Sequence, residues 1–500
     1  MAKKTKPDAE RPRVLRKLGH LLQRESYLEC QHSKNLYRGT SLSCRYSIPL
    51  GLPSESDDLQ AHFDRAVACV VLDQPMLRVG IRTESPTRSV FLQLEKINLA
   101  NHVDLREIAD EEYQKVQEIS IREEVDKKFK DLVTVPGWHV AISKPSLGDF
   151  IEVNFIFHHT ITDGTGAKIF HRSLLKHLRS AAQPEQLEGR IIHLRPDDSQ
   201  PLTPAMNALC DFNLSGAFLL KQVWQEKRPM PVAMRDTMLA HWAPLKPGPA
   251  TTLRRTNRAD SGTLQRLVKA CRGHQTTLTA LMHAMCLVSL AGRLGREEAP
   301  GFTGQSALNL RRFVPVTPDG VSTDNLMHNI VSVMPHHFDE KYVGIIRNRI
   351  LGQDATMADT EEMIWDAAKI VRKELKDRLE WGLKNEMMGL LRYVSDWEAE
   401  KKKRIKRPRE YAWLVSNIGV LKDDHADVDV ANGEAINWQI EQGQFSLSSE
   451  VTGCAFGVSA VGFEHGGLCI DVSWQDGIYD NSLGEGLAGD IGKWMGELGR

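Results

Sequence analysis

The sequence predicts an α/β protein with two lobes of similar size. Its 500 residues are too many for one simple hydrophobic core, which favours at least two domains. Strand patterns and helix patterns alternate in both halves of the chain. A stretch rich in proline and turn residues, 180–255, separates the two halves. We therefore predict an N-terminal lobe over 1–200, a crossover linker over 201–255 and a C-terminal lobe over 256–500.

Composition narrows the class of protein. Hydrophobic residues make up 41% of the chain, charged residues 26%, and the formal net charge is -1. Such a balance is ordinary for a globular protein and creates no overall field that attracts nucleic acid. No apolar run reaches the roughly 18 residues of a membrane helix, and the polar N-terminus does not resemble a secretion signal. Eight scattered cysteines without a C-x-x-C pair are typical of reduced thiols, so we expect a cytoplasmic protein without a membrane span.

The elements of the N-terminal half are predicted from apolar spacing. Leu59, Phe63 and Val67 recur at a helical period and predict a helix over 56–74. Leucines at helical spacing predict an earlier helix over 14–30. The remaining elements of this half are a charged helix within 106–129, a helix over 166–180, and strands over 41–50, 89–97, 137–144 and 149–159.

The C-terminal half repeats the alternation of helices and strands. It opens with two helices over 261–295, and a lysine-rich helix is predicted over 361–400. The predicted strands are 307–314, 328–338, 411–421, 445–451, 455–464 and 467–475. The run KKKRIKR lies between the lysine-rich helix and the next strand, and we interpret it as a solvated loop.

Polar residues cluster where the strand over 149–159 ends. His158 and His159 are the last residues of the strand. Asp163 and Gly164 are residue types that favour a turn, and they precede the next helix. A neutral imidazole is a good general base near pH 7, so His159 could take a proton from an attacking hydroxyl or amine. Asp163 could be its partner in a dyad, or it could hold the loop through an arginine. Gly164 would allow a tight turn.

Two other interpretations of the histidine pair are weighed against this one. Two adjacent histidines taken alone favour a structural role, because polar residues near a core are more often structural than catalytic. A metal site is less favoured still, since neighbouring strand residues point to opposite faces and no H-E-x-x-H occurs. We therefore predict no metal.

The pattern H-H-x-x-x-D-G at a strand end resembles the signature of the CoA-dependent acyltransferase superfamily. That superfamily includes chloramphenicol acetyltransferase, the plant BAHD acyltransferases, peptide-synthetase condensation domains and fungal alcohol acetyltransferases. Further fragments resemble the family in its own order along the chain: RKLGHLLQRESYLEC, GWHVAIS, HQTTLTALMHAM, ALNLRRF and VSNIG. The first of these is similar to the opening helix of the alcohol acetyltransferase branch.

The resemblance implies two chloramphenicol-acetyltransferase-like lobes around a central tunnel. His159 would be the general base of a direct acyl transfer, with His158 beside it and Gly164 in the turn. Asp163 would be structural, and Arg311 is its candidate partner. Three residues are candidates for contacts to the oxyanion or the acyl-CoA: Ser416, Asn417 and Gly419.

The same resemblance implies the substrates. Acetyl-CoA or another acyl-CoA would be a co-substrate rather than a bound cofactor. The acceptor would be a small-molecule alcohol in fungal secondary metabolism, and one chain can complete the tunnel, so we expect a monomer.

Several alternatives stay open from the sequence. The D-F-G-W-G signature of the plant branch is missing, and SWQDG at 473–477 is no equivalent, so the CoA side is less defined. The run KKKRIKR could instead approach the 3′-phosphate of CoA. The acyl donor could be a carrier-protein thioester, the acceptor could be an amine, or the chain could be a non-enzymatic binding protein on the same scaffold.

Overall fold

The fold was analysed in a computed structural model, which describes residues 14–20, 23–49, 56–85, 88–180, 182–195, 202, 204–422, 438–464 and 466–498. Mixed β-sheets flanked by helices make up the described residues, so the predicted α/β class is confirmed. The described strands are β1 (Val14–His20), β2 (Thr40–Ser47), β3 (Val79–Ser85), β4 (Arg88–Leu94), β5 (Lys96–Asn98), β6 (Val103–Ile108), β7 (Trp138–Pro145), β8 (Phe150–Phe157), β9 (Leu187–Glu188), β10 (Ile191–His193), β11 (Thr252–Ala259), β12 (Phe302–Asn309), β13 (Val331–Phe338), β14 (Trp413–Leu421), β15 (Gln439–Leu447), β16 (Phe456–Phe463) and β17 (Gly467–Gln475). The described α-helices are α1 (Gln23–Ser33), α2 (Ser56–Asp73), α3 (Tyr113–Asp126), α4 (Gly164–Leu178), α5 (Met206–Leu209), α6 (Gly216–Lys227), α7 (Met230–Ala233), α8 (Ser261–Gly273), α9 (Leu278–Arg293), α10 (Glu340–Ile350), α11 (Met357–Glu380), α12 (Trp397–Arg404) and α13 (Asn481–Glu497).

The first large sheet carries the histidine motif. Its strand order is β15-β2-β8-β7-β6, and β8 runs antiparallel to both of its neighbours. One face of β8 is apolar, and the ring of Phe155 stacks on Phe170 of α4 with centroids 3.9 Å apart. This packing fixes α4 against the sheet, so the turn that joins β8 to α4 starts from a rigid base.

The second large sheet has the strand order β11-β17-β16-β14-β12-β13. The pairs β12–β14 and β14–β16 are parallel, whereas the other pairs are antiparallel. The apolar helix α9 is buried over nearly its whole length, and its residues belong to the core of this sheet. The described residues form two hydrophobic cores, and β14, β16 and β17 of the second sheet also contribute residues to the core of the first.

One strand connects the two halves of the chain. Strand β15 comes from the C-terminal half but pairs antiparallel with β2 at the edge of the first sheet. Its residues Phe445 and Leu447 belong to the core of that sheet. The lobe boundaries at 200 and 255 stay a prediction, and the C-terminal segment supplies one strand to the sheet of the other half.

Three predicted elements were wrong in part, one because of a strand pairing distant in sequence and two because of local turn geometry. The helix over 14–30 begins as strand β1, which pairs with β4, and only its second part is helical. The strand over 307–314 ends at Asn309, whose side chain accepts from the backbone N–H of Arg311 and starts a 3₁₀ turn. The lysine-rich helix ends at Glu380, before Gly382 with φ +63°. Within 201–255, the segment predicted as the linker, the structure has the helices α5, α6 and α7.

The cysteines are packing residues. All eight are free, and seven are buried. Burial raises the pKa of the Cys30 thiol to about 11, which keeps it protonated at neutral pH. In the part of the chain that the structure describes, we find no helix with the length and apolarity to cross a membrane.

Candidate active site

The turn between β8 and α4 is tightly built. Asp163 caps α4, and its Oδ1 accepts a hydrogen bond of 2.9 Å from the backbone N–H of Gly166. A Cβ at Gly166 would lie 1.8 Å from the Thr162 hydroxyl, and one at Gly164 would lie 2.5 Å from a methyl group of Ile418. Both glycines are therefore required by close approach.

The backbone of the same turn favours one tautomer of His159. Its Nδ1 lies 2.9 Å from the Thr162 carbonyl oxygen, which can only accept, and 2.9 Å from Asn329 Nδ2, which can only donate. The Thr162 contact favours an N–H at Nδ1, and Asn329 Nδ2 has a shorter contact to the His159 carbonyl oxygen. The proton on Nδ1 leaves the lone pair on Nε2. Asn329 Nδ2 donates to the His159 carbonyl oxygen at 2.7 Å and fixes the peptide from the other half of the chain.

The surroundings of His159 favour its neutral form. Burial is the main cause that lowers its pKa, and the positive charge of Arg24 adds to the effect. The charge of Asp163 and the hydrogen bond to Thr162 oppose the shift without reversing it. A neutral imidazole with a free lone pair is the form that a general base requires.

His158 points in another direction from its neighbour. Its Nδ1 accepts from the backbone N–H of Thr160 at 3.1 Å, and its ring packs 4.3 Å from the ring of His32. The side chain is 1% exposed, and burial lowers its pKa well below the ordinary value. His158 is not among the described residues that line the cavity at His159.

Asp163 and Arg311 form a buried ion pair between the two halves of the chain. Arg311 Nη1 donates to Asp163 Oδ2 at 2.7 Å, and the backbone N–H of Ile330 donates to the same oxygen at 2.9 Å. Arg311 also donates to the carbonyl oxygens of Thr323 and His328. Burial alone would raise the pKa of Asp163, but the charge and hydrogen bond of Arg311 hold that pKa below its ordinary value.

A cavity of about 1430 Å³ opens beside His159. Its walls come from both halves of the chain, including α1, α4, α6, β12 to β14 and the segment after β15. The motif residues His159, Asp163 and Gly164 line it, and so do Met387 and Met388. The cavity is large enough for two small substrates to meet at one side chain.

The predicted oxyanion candidates lie on an irregular part of β14. Ser416, Asn417 and Gly419 all line the cavity. The N–H of Gly419, which has φ +75°, donates to Asn417 Oδ1 at 2.9 Å, so this amide is already engaged. Asn417 Nδ2 donates to Thr279 Oγ1 at 3.1 Å, and its second proton is left for another acceptor.

The cavity is also lined by several cationic side chains that the sequence analysis did not assign to the site. Lys168 donates to the Val420 carbonyl oxygen, and burial lowers its pKa to about 8. The run KKKRIKR was interpreted as a solvated loop, but its first residues end α12, and Lys401 and Arg404 face the cavity. Arg24 lines the cavity from α1. Spacing within α12 could have indicated this, because positions i and i+3 share one helix face.

A second histidine cluster lies on the far side of β12. Trp413 Nε1 donates to His283 Nδ1, so His283 Nε2 carries the proton toward Ser306 Oγ at 2.8 Å. Ser306 in turn donates to His336 Nε2 at 2.9 Å, and His336 Nδ1 donates to Glu374 at 2.5 Å. Ser306 is fully buried and is not among the described lining residues of the cavity. We therefore interpret this chain of hydrogen bonds as structural.

Removing the hydroxyl of Ser306 is expected to cost stability and not activity. Ser306→Ala leaves two buried imidazole nitrogens without a partner, a loss of about 1–3 kcal/mol in the free energy of unfolding. Ser459→Ala is a matched control, because its hydroxyl bonds to the Phe445 carbonyl oxygen and its loss should cost about 1 kcal/mol. Urea unfolding measures both variants. A loss of activity in folded Ser306→Ala would contradict the structural interpretation.

Comparison with solved structures defines the class of fold. The structure of TRI3 trichothecene 15-O-acetyltransferase from Fusarium sporotrichioides covers 99% of this chain and 98% of its own, with a TM-score of 0.72 at 12% identity. The condensation domain from the polyketide synthase MokA aligns over 96% of this chain and 98% of its own, with a TM-score of 0.54 at 11% identity. The fold is that of chloramphenicol-acetyltransferase-like and condensation-domain proteins, as the sequence resemblance predicted.

Sequence comparison then shows the family. The sequence profile of the alcohol acetyltransferases matches residues 93–482, and the chain belongs to that family. A probable alcohol acetyltransferase, FCK4 of Fusarium pseudograminearum, is 27% identical over 98% of this chain and 96% of its own. A second one, crmB of Aspergillus fumigatus, is 22% identical over 75% of this chain and 76% of its own. The predicted family is confirmed, and the protein is an acyltransferase.

Proposed function

We propose that the protein transfers an acetyl group from acetyl-CoA to a hydroxyl group of a small molecule, with His159 as the general base. The observation that carries the proposal is the position of His159. Its Nδ1–H is held by the Thr162 carbonyl oxygen, and its ring lines a cavity of about 1430 Å³ between the two halves of the chain. The tautomer with its proton on Nδ1 leaves Nε2 free to accept a proton from an acceptor hydroxyl.

The reaction follows from that geometry. Nε2 takes the hydroxyl proton while the acceptor oxygen attacks the thioester carbonyl carbon, so no acyl-enzyme forms. The tetrahedral intermediate collapses when the C–S bond breaks, and the proton on Nε2 passes to the departing sulfur. Ser416 and the second amide proton of Asn417 are the donors we assign to the oxyanion, since the Gly419 N–H is engaged within β14.

Asp163 has a positioning role in this proposal. Its carboxylate binds Arg311, Ile330 and the N-terminus of α4, and its two oxygens are thereby occupied. The dyad interpretation is not favoured, because the Thr162 carbonyl oxygen accepts the Nδ1 proton of His159 that a dyad carboxylate would bind. The predicted monomer and cytoplasmic location stay predictions.

Release of thiol from acetyl-CoA tests the proposed function. We expect release that depends on a hydroxylated acceptor, together with an acetyl ester in the product. Hydroxylated terpenoids and polyketides are the acceptors, and amine analogues of the same molecules separate O-transfer from N-transfer. Consumption of a carrier-bound acetyl thioester without consumption of free acetyl-CoA would overturn the assigned donor.

The pH dependence provides a test of His159 itself. Because burial and Arg24 lower its pKa, the base form persists to lower pH than for an ordinary histidine, whose pKa is about 6.5. The acid limb of kcat/KM should therefore have its midpoint below about pH 6.5. Initial rates between about pH 5 and 8 measure it. A midpoint above the ordinary value would contradict the proposed environment.

A further inference from the structure

Two buried cations lie at the α1 side of the cavity. Arg24 is 9% exposed and Lys401 is 7% exposed, and both line the cavity. They flank the ring of Tyr27, whose centroid is 5.5 Å from the Arg24 guanidinium carbon and 4.1 Å from Lys401 Nζ. Burial lowers the pKa of Lys401 to about 8, which leaves it mostly charged at neutral pH.

Arg24 differs from the other deeply buried arginines in its contacts. Its Nε is buried and has no hydrogen-bond partner among the residues that the structure describes. Arg409, in contrast, donates from Nε to the Ala243 carbonyl oxygen at 2.8 Å and from Nη1 to the carbonyl oxygens of Gly453 and Cys454. A guanidinium that is buried without such partners is costly to the folded state unless a ligand supplies the acceptor.

The nearby carboxylates do not fill this role. Glu450 acts on both Arg24 and Lys401 through charge, but it forms no side-chain hydrogen bond with Arg24. Gln31 Nε2 donates to Glu450 Oε1 at 2.6 Å, and Tyr27 interacts with the same carboxylate. Glu25 and Asp163 also act on Arg24 through charge alone, and the oxygens of Asp163 bind elsewhere. The donors of Arg24 are therefore left for a molecule in the cavity.

Arg24 is close enough to His159 for its charge to lower the pKa of that imidazole. The two groups that meet at His159 in the proposed reaction are the acceptor hydroxyl and the acetyl thioester. The thioester is neutral before the reaction, and the phosphates of CoA are separated from it by the whole pantetheine arm. An anion that binds Arg24 beside His159 in the ground state therefore belongs to the acceptor. A planar guanidinium matches a carboxylate in particular, because two N–H groups can bind both oxygens.

We propose that Arg24 binds a carboxylate of the acceptor, so that the preferred acceptors are hydroxylated carboxylic acids. The assignment rests on the proposed function for the identity of the reacting hydroxyl. Arg24 is a specificity residue in this scheme, and His159 remains the base. The carboxylate and the hydroxyl would bind at neighbouring points of one cavity, which sets the orientation of the acceptor.

Equilibrium binding tests the proposal without turnover. The probes are lithocholate, ricinoleate and mandelate, each paired with its methyl ester, and titration calorimetry gives Kd for each. At least one acid should bind wild type about tenfold or more tightly than its ester, as expected for a charge-assisted hydrogen bond. Arg24→Gln should remove that preference, and Arg24→Lys should restore part of it. Lys221→Gln, on an exposed cation at the cavity wall, is the control and should keep the preference.

Stability and rate distinguish a carboxylate-binding Arg24 from a structural one and from one that stabilises the oxyanion. Because Arg24 Nε has no hydrogen-bond partner among the described residues, Arg24→Gln should unfold at the same temperature as wild type or higher. A clear fall in Tm would show a structural role and overturn the proposal, as would the absence of any acid preference in wild type. An equal fall in kcat for acid and ester with unchanged Kd would place Arg24 on the oxyanion instead. If the acid preference depends on Arg24 but no acceptor releases thiol from acetyl-CoA, the proposed function fails and the anion site stands.

Discussion

Replacing His159 by alanine is expected to lower kcat for acetyl transfer by about 10²–10⁴-fold, the range for loss of a positioned general base. The cavity walls stay in place, so the KM for acetyl-CoA should change much less than kcat. The reason is that Nε2 contributes when the proton is transferred and not to ground-state binding. Steady-state thiol release with a responding acceptor measures both constants.

The neighbouring histidine is the matched control for this experiment. His158→Asn keeps an acceptor near the backbone N–H of Thr160 and removes a ring that packs on His32. We expect a lower Tm and a kcat within a few fold of wild type, because His158 lies away from the cavity. Equal losses of kcat in the two variants would remove His159 from its assigned role.

Neutralising Asp163 is expected to destabilise the fold by about 3–5 kcal/mol, the cost of leaving one member of a buried ion pair without its partner. Asp163→Asn preserves the size of the side chain but leaves Arg311 buried and charged. The pKa of Asp163 is held below the ordinary aspartate value, so the wild-type ion pair is lost only as pH falls below about 3.9. The stability difference should therefore be complete at neutral pH, where urea unfolding measures it.

Two further variants show whether the effect belongs to the buried pair. Glu340→Gln breaks the exposed pair with Arg296 and should cost less than about 1 kcal/mol. The double variant Asp163→Asn/Arg311→Met removes both charges and should lose less stability than the two single changes added together. Additive losses would show that the two side chains do not act as a pair. A folded Asp163→Asn that loses only the chemical step would contradict the positioning role.

The candidate site was predictable where its signals are local. Strand alternation, the turn residues Asp163 and Gly164 and the amphipathic helix after them lie within one stretch of chain. That stretch predicted His159 at a strand end, and the structure places it there. The partners of this turn lie far away in sequence: Asn329 is 170 residues from His159, and Arg311 is 148 residues from Asp163. Arg311 was named through a family resemblance, whereas Asn329 was not named at all.

The sequence by itself determined the α/β class and the local geometry of the motif, because periods of two and 3.6 residues depend on neighbouring side chains. It indicated the family through the resemblance of the H-H-x-x-x-D-G motif and its companion fragments. Only the tertiary structure decided that β1 is a strand, that β15 joins the sheet of the other half, and that Arg24, Lys168 and Lys401 face one cavity. Each of these depends on pairing or packing between segments far apart in sequence. An amphipathic helix pattern is compatible with a polar face exposed to solvent and with a polar face that lines a cavity, since a cavity also accepts polar side chains. The physical environment of a charged residue is therefore set by what folds over it.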